Sequence, residues 1–135
     1  MLAIIVVIVC IVIAVLVAFA ISKTRTKKQE IENIDRKPYE MLAADFVRVG
    51  WPSWGYAVHR AAGQDDRIRR AIKSTEMSLV SYDADSKTAL VEGEHGIVYE
   101  ITPQGCSCPD FHKRNLPCKH MYFAVMEIPD DPGLE

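Results

Sequence analysis

Apolar and polar positions divide this chain into two stretches of different character. Residues 1–21 (MLAIIVVIVCIVIAVLVAFAI) are apolar without a break. About 20 apolar residues in a helix cross the roughly 30 Å hydrocarbon core of a bilayer. A helix apolar on every face is also more than a small domain can surround. The run therefore predicts an N-terminal transmembrane helix, with the anchor over 1–22. A cleavable signal peptide is the rival, because Ala18-Phe19-Ala20 has the small-x-small form of a cleavage site. Against it, no Lys or Arg precedes the run, and the run is longer than an h-region. Lys23, Arg25, Lys27 and Lys28 follow at once. The positive-inside rule then predicts a single pass through the cell membrane, with the N-terminus out and the remainder in the cytoplasm. Residues 23–37 read as a basic juxtamembrane linker.

From Pro38 the pattern becomes that of a folded domain. Pro38 suits a first helical turn. Leu42, Phe46 and Val49 recur at helical spacing, and Gly50 and Pro52 stop the helix. Residues 57–62 read as a short helical turn ending at Gly63. Residues 64–75 read as a further helix with Ile68, Ala71 and Ile72 on one face. Its acids, Asp65 and Asp66, lie in the first turn, and Arg67, Arg69, Arg70 and Lys73 lie toward its end, the order the helix dipole favours. The basic face reads as solvated, with phosphate binding as the alternative. Trp51 and Trp54 read as the lid of a small core in preference to a binding surface. Residues 38–76 thus form a helical segment.

The period then changes to two. Residues 77–82, 87–92 and 97–102 are short runs rich in β-branched and aromatic side chains, separated by turn-forming stretches. Ile97, Tyr99 and Ile101 alternate with Glu100 and Thr102, which predicts one buried face. The pattern is a three-stranded antiparallel meander. Met121, Ala124, Val125 and Ile128 then repeat at helical spacing, predicting an amphipathic helix that faces it. Residues 129–135 read as a disordered acidic tail. The fold class is α+β: the transmembrane helix, then a small domain of short helices, the meander, and a final cysteine- and histidine-containing segment ending in a helix.

Composition sharpens this division. The chain has 135 residues, is 49% apolar and carries a net charge of −2. About a third of the apolar residues lie in the first 21, so the rest supports one modest core and no multidomain enzyme. From residue 76 onward, four basic residues (Lys87, Lys113, Arg114 and Lys119) face eleven acidic ones, a net of −7. That balance is unfavourable for a nucleic-acid footprint. Three of the four bases, Lys113, Arg114 and Lys119, nevertheless gather near Phe111.

Cys10 lies in the apolar run and reads as a passive small hydrophobe. Cys106, Cys108, Cys118 and His120 make the pattern C-x-C-x9-C-x-H. In an extended chain, side chains i and i+2 point the same way with Cα atoms about 6.5–7 Å apart. Cys106 and Cys108 can therefore reach one ion together. Cys118 and His120 can do so where their stretch is extended or just entering a helix, because i and i+2 diverge inside one. Leu116-Pro117 supplies that entry. The four residues form a closed tetrahedral Cys₃His site for Zn²⁺. One ligand is His, which disfavours an iron–sulfur cluster. A Cys106–Cys108 disulfide is the alternative, and a very tight ring and a reducing compartment weigh against it. His112 is a rival fourth ligand. His59, His95 and His112 are otherwise expected at the surface.

Cys106-Ser-Cys108-Pro-Asp-Phe, the nine-residue gap and Pro117-Cys118-Lys-His120 before an apolar helix resemble the SWIM-type zinc finger. The strand Val98-Tyr-Glu-Ile101 resembles the segment that leads into the finger. The resemblance places the finger over 77–128 and implies Cys106, Cys108, Cys118 and His120 as zinc ligands. It also implies DNA or protein binding, usually as an accessory module in a larger protein. Four protein ligands leave no open position on the metal, and there is no H-E-x-x-H and no Gly-rich phosphate loop, so no enzyme and no small-molecule substrate are expected. The expected function is a membrane-anchored zinc-binding module in protein–protein interaction. Nucleic-acid binding through Lys113, Arg114, Lys119 and Phe111 is the alternative.

Overall fold

The computed structural model describes residues 11, 13–19, 21–22 and 38–130. The chain divides into two compact units, Met1–Lys37 and Pro38–Glu135. In the first unit, the described residues are helical and exposed. Among the described residues, no helix is long and apolar enough to cross a membrane. This corrects the expected transmembrane helix over 1–22. With it are withdrawn the single pass with the N-terminus out, the membrane as a partner, and the cell-membrane location with a cytoplasmic domain. Residues 1–10, the linker 23–37 and the tail 131–135 lie outside the described residues.

In the second unit, residues 38–48 are helical (α1). Phe46 and Val49 are buried, and Leu42 packs against the core. The helix closes in a pair of nested hydrogen bonds. Gly50 N–H donates to Val47 O at 2.9 Å and Trp51 N–H to Phe46 O at 2.8 Å. Gly50 has φ +79, the left-handed region a glycine enters without a side-chain clash. The short helices α2 (Gly55–His59) and α3 (Gln64–Lys73) follow. α3 ends two residues before the expected boundary, because Ser74 turns extended and its Oγ accepts from Met77 N–H at 3.1 Å.

The chain then enters a sheet of β1 (Ser78–Asp83), β2 (Thr88–Glu92), β3 (Val98–Thr102) and β4 (Gly105–Cys106), antiparallel and in sequence order. The expected meander has three strands, and the structure adds a fourth. The turn at Pro103-Gln104 folds Gly105 back opposite Thr102 and Cys106 opposite Ile101. β1 carries a bulge: Leu79 pairs with Val91 and Ser81 with Leu90, so Val80 is an extra residue. The bulge lets Leu79 and Tyr82, three positions apart, both pack on the core, where strict alternation would put them on opposite faces. Ile101 is buried as expected. Ile97 is exposed instead, because it lies just outside β3, at the end of the 3₁₀ turn Glu94–Gly96.

Two helices complete the unit, α4 (Pro109–Arg114) and α5 (Lys119–Glu127). The expected α5 is amphipathic. Met121, Ala124, Val125 and Ile128 are indeed buried, but so are Tyr122 and Phe123. The sheet covers one side of α5 and α3 another, and the Phe46 ring meets Tyr122 edge-on at 5.7 Å. α5 is thus the central element, and its residues are apolar nearly all round for that reason. Arg48 closes its C-terminal end: the guanidinium donates to Val125 O, Ile128 O and Pro129 O at 2.7, 3.0 and 2.9 Å. These are carbonyls that a helix end leaves unpaired and the dipole makes negative. Trp51 is buried and its Nε1–H donates to Lys87 O at 2.8 Å, while Tyr82 O–H donates to Val49 O at 2.9 Å. Both bonds tie the end of α1 to the β1–β2 hairpin.

A Cβ on Gly50 would lie 2.8 Å from Lys87 Cδ. Gly50→Ala is expected to destabilise the 38–135 unit by about 1–2 kcal/mol, the order of cost for a left-handed L-residue, with the fold retained. Urea unfolding measures this, and an unchanged midpoint would contradict the closure described.

Candidate metal centre

The four donors of the C-x-C-x9-C-x-H pattern arrive on three pieces of backbone. Cys106 sits in β4, fixed by its pairing with Ile101. Cys108 is the N-cap of α4, where Pro109 starts the helix and Phe111 N–H donates to Cys108 Sγ at 3.4 Å. Cys118 is the extended N-cap of α5 and His120 lies in that helix's first turn. The Cys118-x-His120 pair therefore sits at a helix entrance, the condition its spacing requires. Two of the three thiols face helix N-termini, where the dipole favours a thiolate.

The four donor atoms lie within 4.8 Å of one another. Cys106, Cys108, Cys118 and His120 are only 4, 1, 0 and 5% exposed. His120 Nδ1 is 3.8 Å from Cys118 Sγ. Tetrahedral zinc with Zn–S about 2.3 Å and Zn–N about 2.0 Å requires S···N edges of about 3.5 Å, so a small contraction completes the shell. The electrostatics point the same way. Three thiols this close cannot all carry negative charge by themselves. The hydrogen bond from Cys106, then that from Cys118, lowers the Cys108 thiol. Cys106 is pushed up to about 12 because its proton sits in the bond to Cys108, and Cys118 is raised by its bonds to Cys106 and then Cys108. A divalent cation removes that conflict, as thiolate–metal bonding requires. The residues fit a metal ion.

A polar chain, part-buried at Asp110 and buried from Gln64 inward, holds the loop between the donors. Asp110 lies between two guanidiniums. Arg114 donates from Nε and Nη2 at 2.8 and 2.6 Å, and Arg67 donates from Nε and Nη2 at 2.9 and 3.0 Å. Arg114 and then Arg67 hold the Asp110 carboxyl well below the usual carboxylate range. Arg114 Nη1 also donates to Gln64 Oε1 at 3.0 Å. Gln64 Nε2 in turn donates to Pro117 O at 3.1 Å and to Tyr122 Oη at 3.2 Å. Tyr122 Oη lies 2.8 Å from His59 Nδ1, and His59 Nε2 lies 2.9 Å from Ser53 O. A carbonyl only accepts, so His59 Nε2 carries the proton and Nδ1 accepts from Tyr122 O–H.

These positions settle where the expected contact residues lie. Phe111 is buried, its ring edge-on to Trp54 at 6.3 Å. Arg114 is engaged with Asp110 and Gln64, and Lys119 Nζ is 2.8 Å from Glu94 Oε1, which holds the Glu94 carboxyl below its ordinary value. Lys113 is exposed. His112 is exposed on α4 and outside the donor cluster, as the surface expectation has it. His59 corrects that expectation: it is fully buried, because Phe46 and Tyr122 flank its ring while Ser53 and Tyr122 satisfy both nitrogens. The α3 bases are divided: Arg67 is spent on Asp110 and Arg70 pairs with Asp66 at 2.9 Å.

Sequence reasoning passed over α4, Gln64, Asp110, Tyr122 and the buried role of His59. α4 was detectable. Pro109 and Asp110 open it, His112, Lys113 and Arg114 close it, and Asn115 ends it in the left-handed region. Gln64 and His59 lie about 60 residues from Tyr122 in sequence, and none of the three carries a local signal.

Residues 80–128 match the family model of the SWIM zinc finger. The four donors converge at the positions that the pattern marks, so the match over this segment extends to the donor set of a SWIM zinc finger. No curated protein and no solved structure matches the chain.

Burial lowers the His59 imidazole from its ordinary value, partly offset by the bond to Ser53. The unfolded chain then binds the proton more readily, so stability contributed by His59 is present above about pH 6.5 and is lost as pH falls below that value. Comparing unfolding free energies of the wild-type and His59→Gln units at pH 7.5 and 5.5 isolates this effect from protonation of the other groups. The wild type is expected to lose up to about 1.4 kcal/mol per pH unit more than the variant. Parallel losses would contradict the buried neutral imidazole.

Proposed function

We propose that the SWIM finger holds one structural Zn²⁺ on Cys106, Cys108, Cys118 and His120, and that the domain built around it serves protein–protein interaction and not catalysis. Closure of the site is the observation that carries the zinc reading. Four donors within 4.8 Å of one another, all buried, supply a whole tetrahedral shell, which leaves no position for a water or substrate. Three soft thiolates and an imidazole suit zinc, whereas hard cations take oxygen ligands. Zinc here would organise the loop and both helix entrances.

Two features support a protein partner. Val80, Ile97 and Val98 are 52, 51 and 49% exposed on or beside the strands of the meander, with Glu92 paired opposite Val98. Apolar side chains among acidic ones suit a protein surface better than a phosphate backbone. In addition, several of the cations near the finger are committed within the fold: Arg67 and Arg114 to Asp110, Lys119 to Glu94, and Arg48 to the end of α5.

The 38–135 unit is expected to purify with one zinc per chain and to lose its far-UV circular dichroism on chelation, since metal binding and folding are linked. His120→Ala should abolish tight binding and His112→Ala should leave it intact. A folded unit without metal would contradict the reading. For the partner, crosslinking with the wild type and Val98→Asp should capture a protein that the variant loses. DNA binding that falls steeply with salt and disappears on neutralising Lys113 and Lys119 would favour the nucleic-acid alternative instead.

A further inference from the structure

His120 is held on two sides by residues outside the donor set. The Tyr99 ring lies over its imidazole, with centroids 4.3 Å apart and planes 31° from parallel. At the ring edge, a Cβ built on the buried Gly93 would lie 3.1 Å from His120 Nε2 and 2.8 Å from Tyr99 Cε2. Glycine therefore leaves just the room that the two rings fill. His120 Nδ1, on the opposite side, is the nitrogen 3.8 Å from Cys118 Sγ.

The cradle is itself fixed. Gly93 N–H donates to Ile97 O at 2.8 Å and Gly96 N–H to Gly93 O at 3.2 Å, which sets the turn between β2 and β3. The register places Tyr99 opposite Val91, one pair beyond Val98 and Glu92. The Lys119–Glu94 ion pair fastens the same turn to the residue before His120.

We propose that Gly93 and Tyr99 are positioning residues for His120: they select Nδ1 as its metal donor and keep Nε2 turned from the thiols, against the Gly93 backbone. The proposal rests on the zinc reading above and adds which nitrogen binds and what holds it. A metal-bound imidazole carries part of the cation's charge, so the face of Tyr99 stabilises it as well as fixing its plane. Outer-shell residues that hold a ligand's ring in one orientation tune its metal affinity.

The test uses the full chain loaded with Zn²⁺ and long-range ¹H–¹⁵N correlation of the histidine rings. His120 is expected to keep its proton on Nε2 and to show the metal-bound signature at Nδ1. Zinc affinity, read by competition with a chelating indicator, is expected to fall about 10–100-fold in Tyr99→Leu and Gly93→Ala. Tyr99→Phe, which keeps the ring, should retain the wild-type value. Zinc bound through Nε2 in the wild type overturns this assignment alone, and so does wild-type affinity in Tyr99→Leu. A chain that binds no zinc overturns the metal reading and this assignment with it. The wild-type spectrum decides the donor nitrogen whether or not the variants fold.

Discussion

Four donor atoms confined within 4.8 Å of one another are the constraint on which the rest of this structure depends. Three thiols and an imidazole, buried together, are an unfavourable arrangement unless a cation shares the space. With one, they become a cross-link between β4, α4 and α5. The magnitude matters because the unit is small. A domain of fewer than a hundred residues buries a limited apolar surface. Its net stability is of the order of 5–15 kcal/mol, while apparent binding free energies for structural zinc run to about 10–16 kcal/mol. A bound zinc would therefore contribute on the scale of the whole net stability.

The helices that precede the finger are joined to it by polar bonds as well as by packing. From Arg114 the donors run to Gln64, then to Tyr122 and Pro117, then to His59 and Ser53. Both polar ends of the Gln64 side chain are used although it is wholly buried. A buried amide costs little when its partners are all present and much when one is removed. The carbonyl of Pro117 directly precedes the ligand Cys118, so this chain of bonds holds the metal loop from α2 and α3. Arg48 does the same for the far end of α5. The finger and the helical segment accordingly share one core, where the rings of Phe46, His59 and Tyr122 all meet one another.

Much of this was legible in the sequence. The meander followed from alternation and turn residues to within one or two positions at each strand. The convergence of four possible metal donors followed from the spacing of Cys106, Cys108, Cys118 and His120. What escaped had physical reasons. β4 is two residues long and carries no periodicity. The bulge at Val80 breaks the alternation it interrupts. α5 is apolar nearly all round because elements remote in sequence cover it on opposite sides, and a single-helix pattern shows only one of them. The long apolar run suggested a membrane span by composition, and among the described residues no helix long enough to make one is present. His59 looked like a surface histidine because its partners, Ser53 and Tyr122, become neighbours only in the folded chain.

The coordination shell decides whether the metal is structural. Zinc K-edge X-ray absorption of the purified chain reads it directly. Three sulfurs at about 2.3 Å and one nitrogen at about 2.0 Å are predicted, with no oxygen ligand. A shell with two sulfurs, or one completed by water, would contradict a closed Cys₃His centre and the structural role assigned to it.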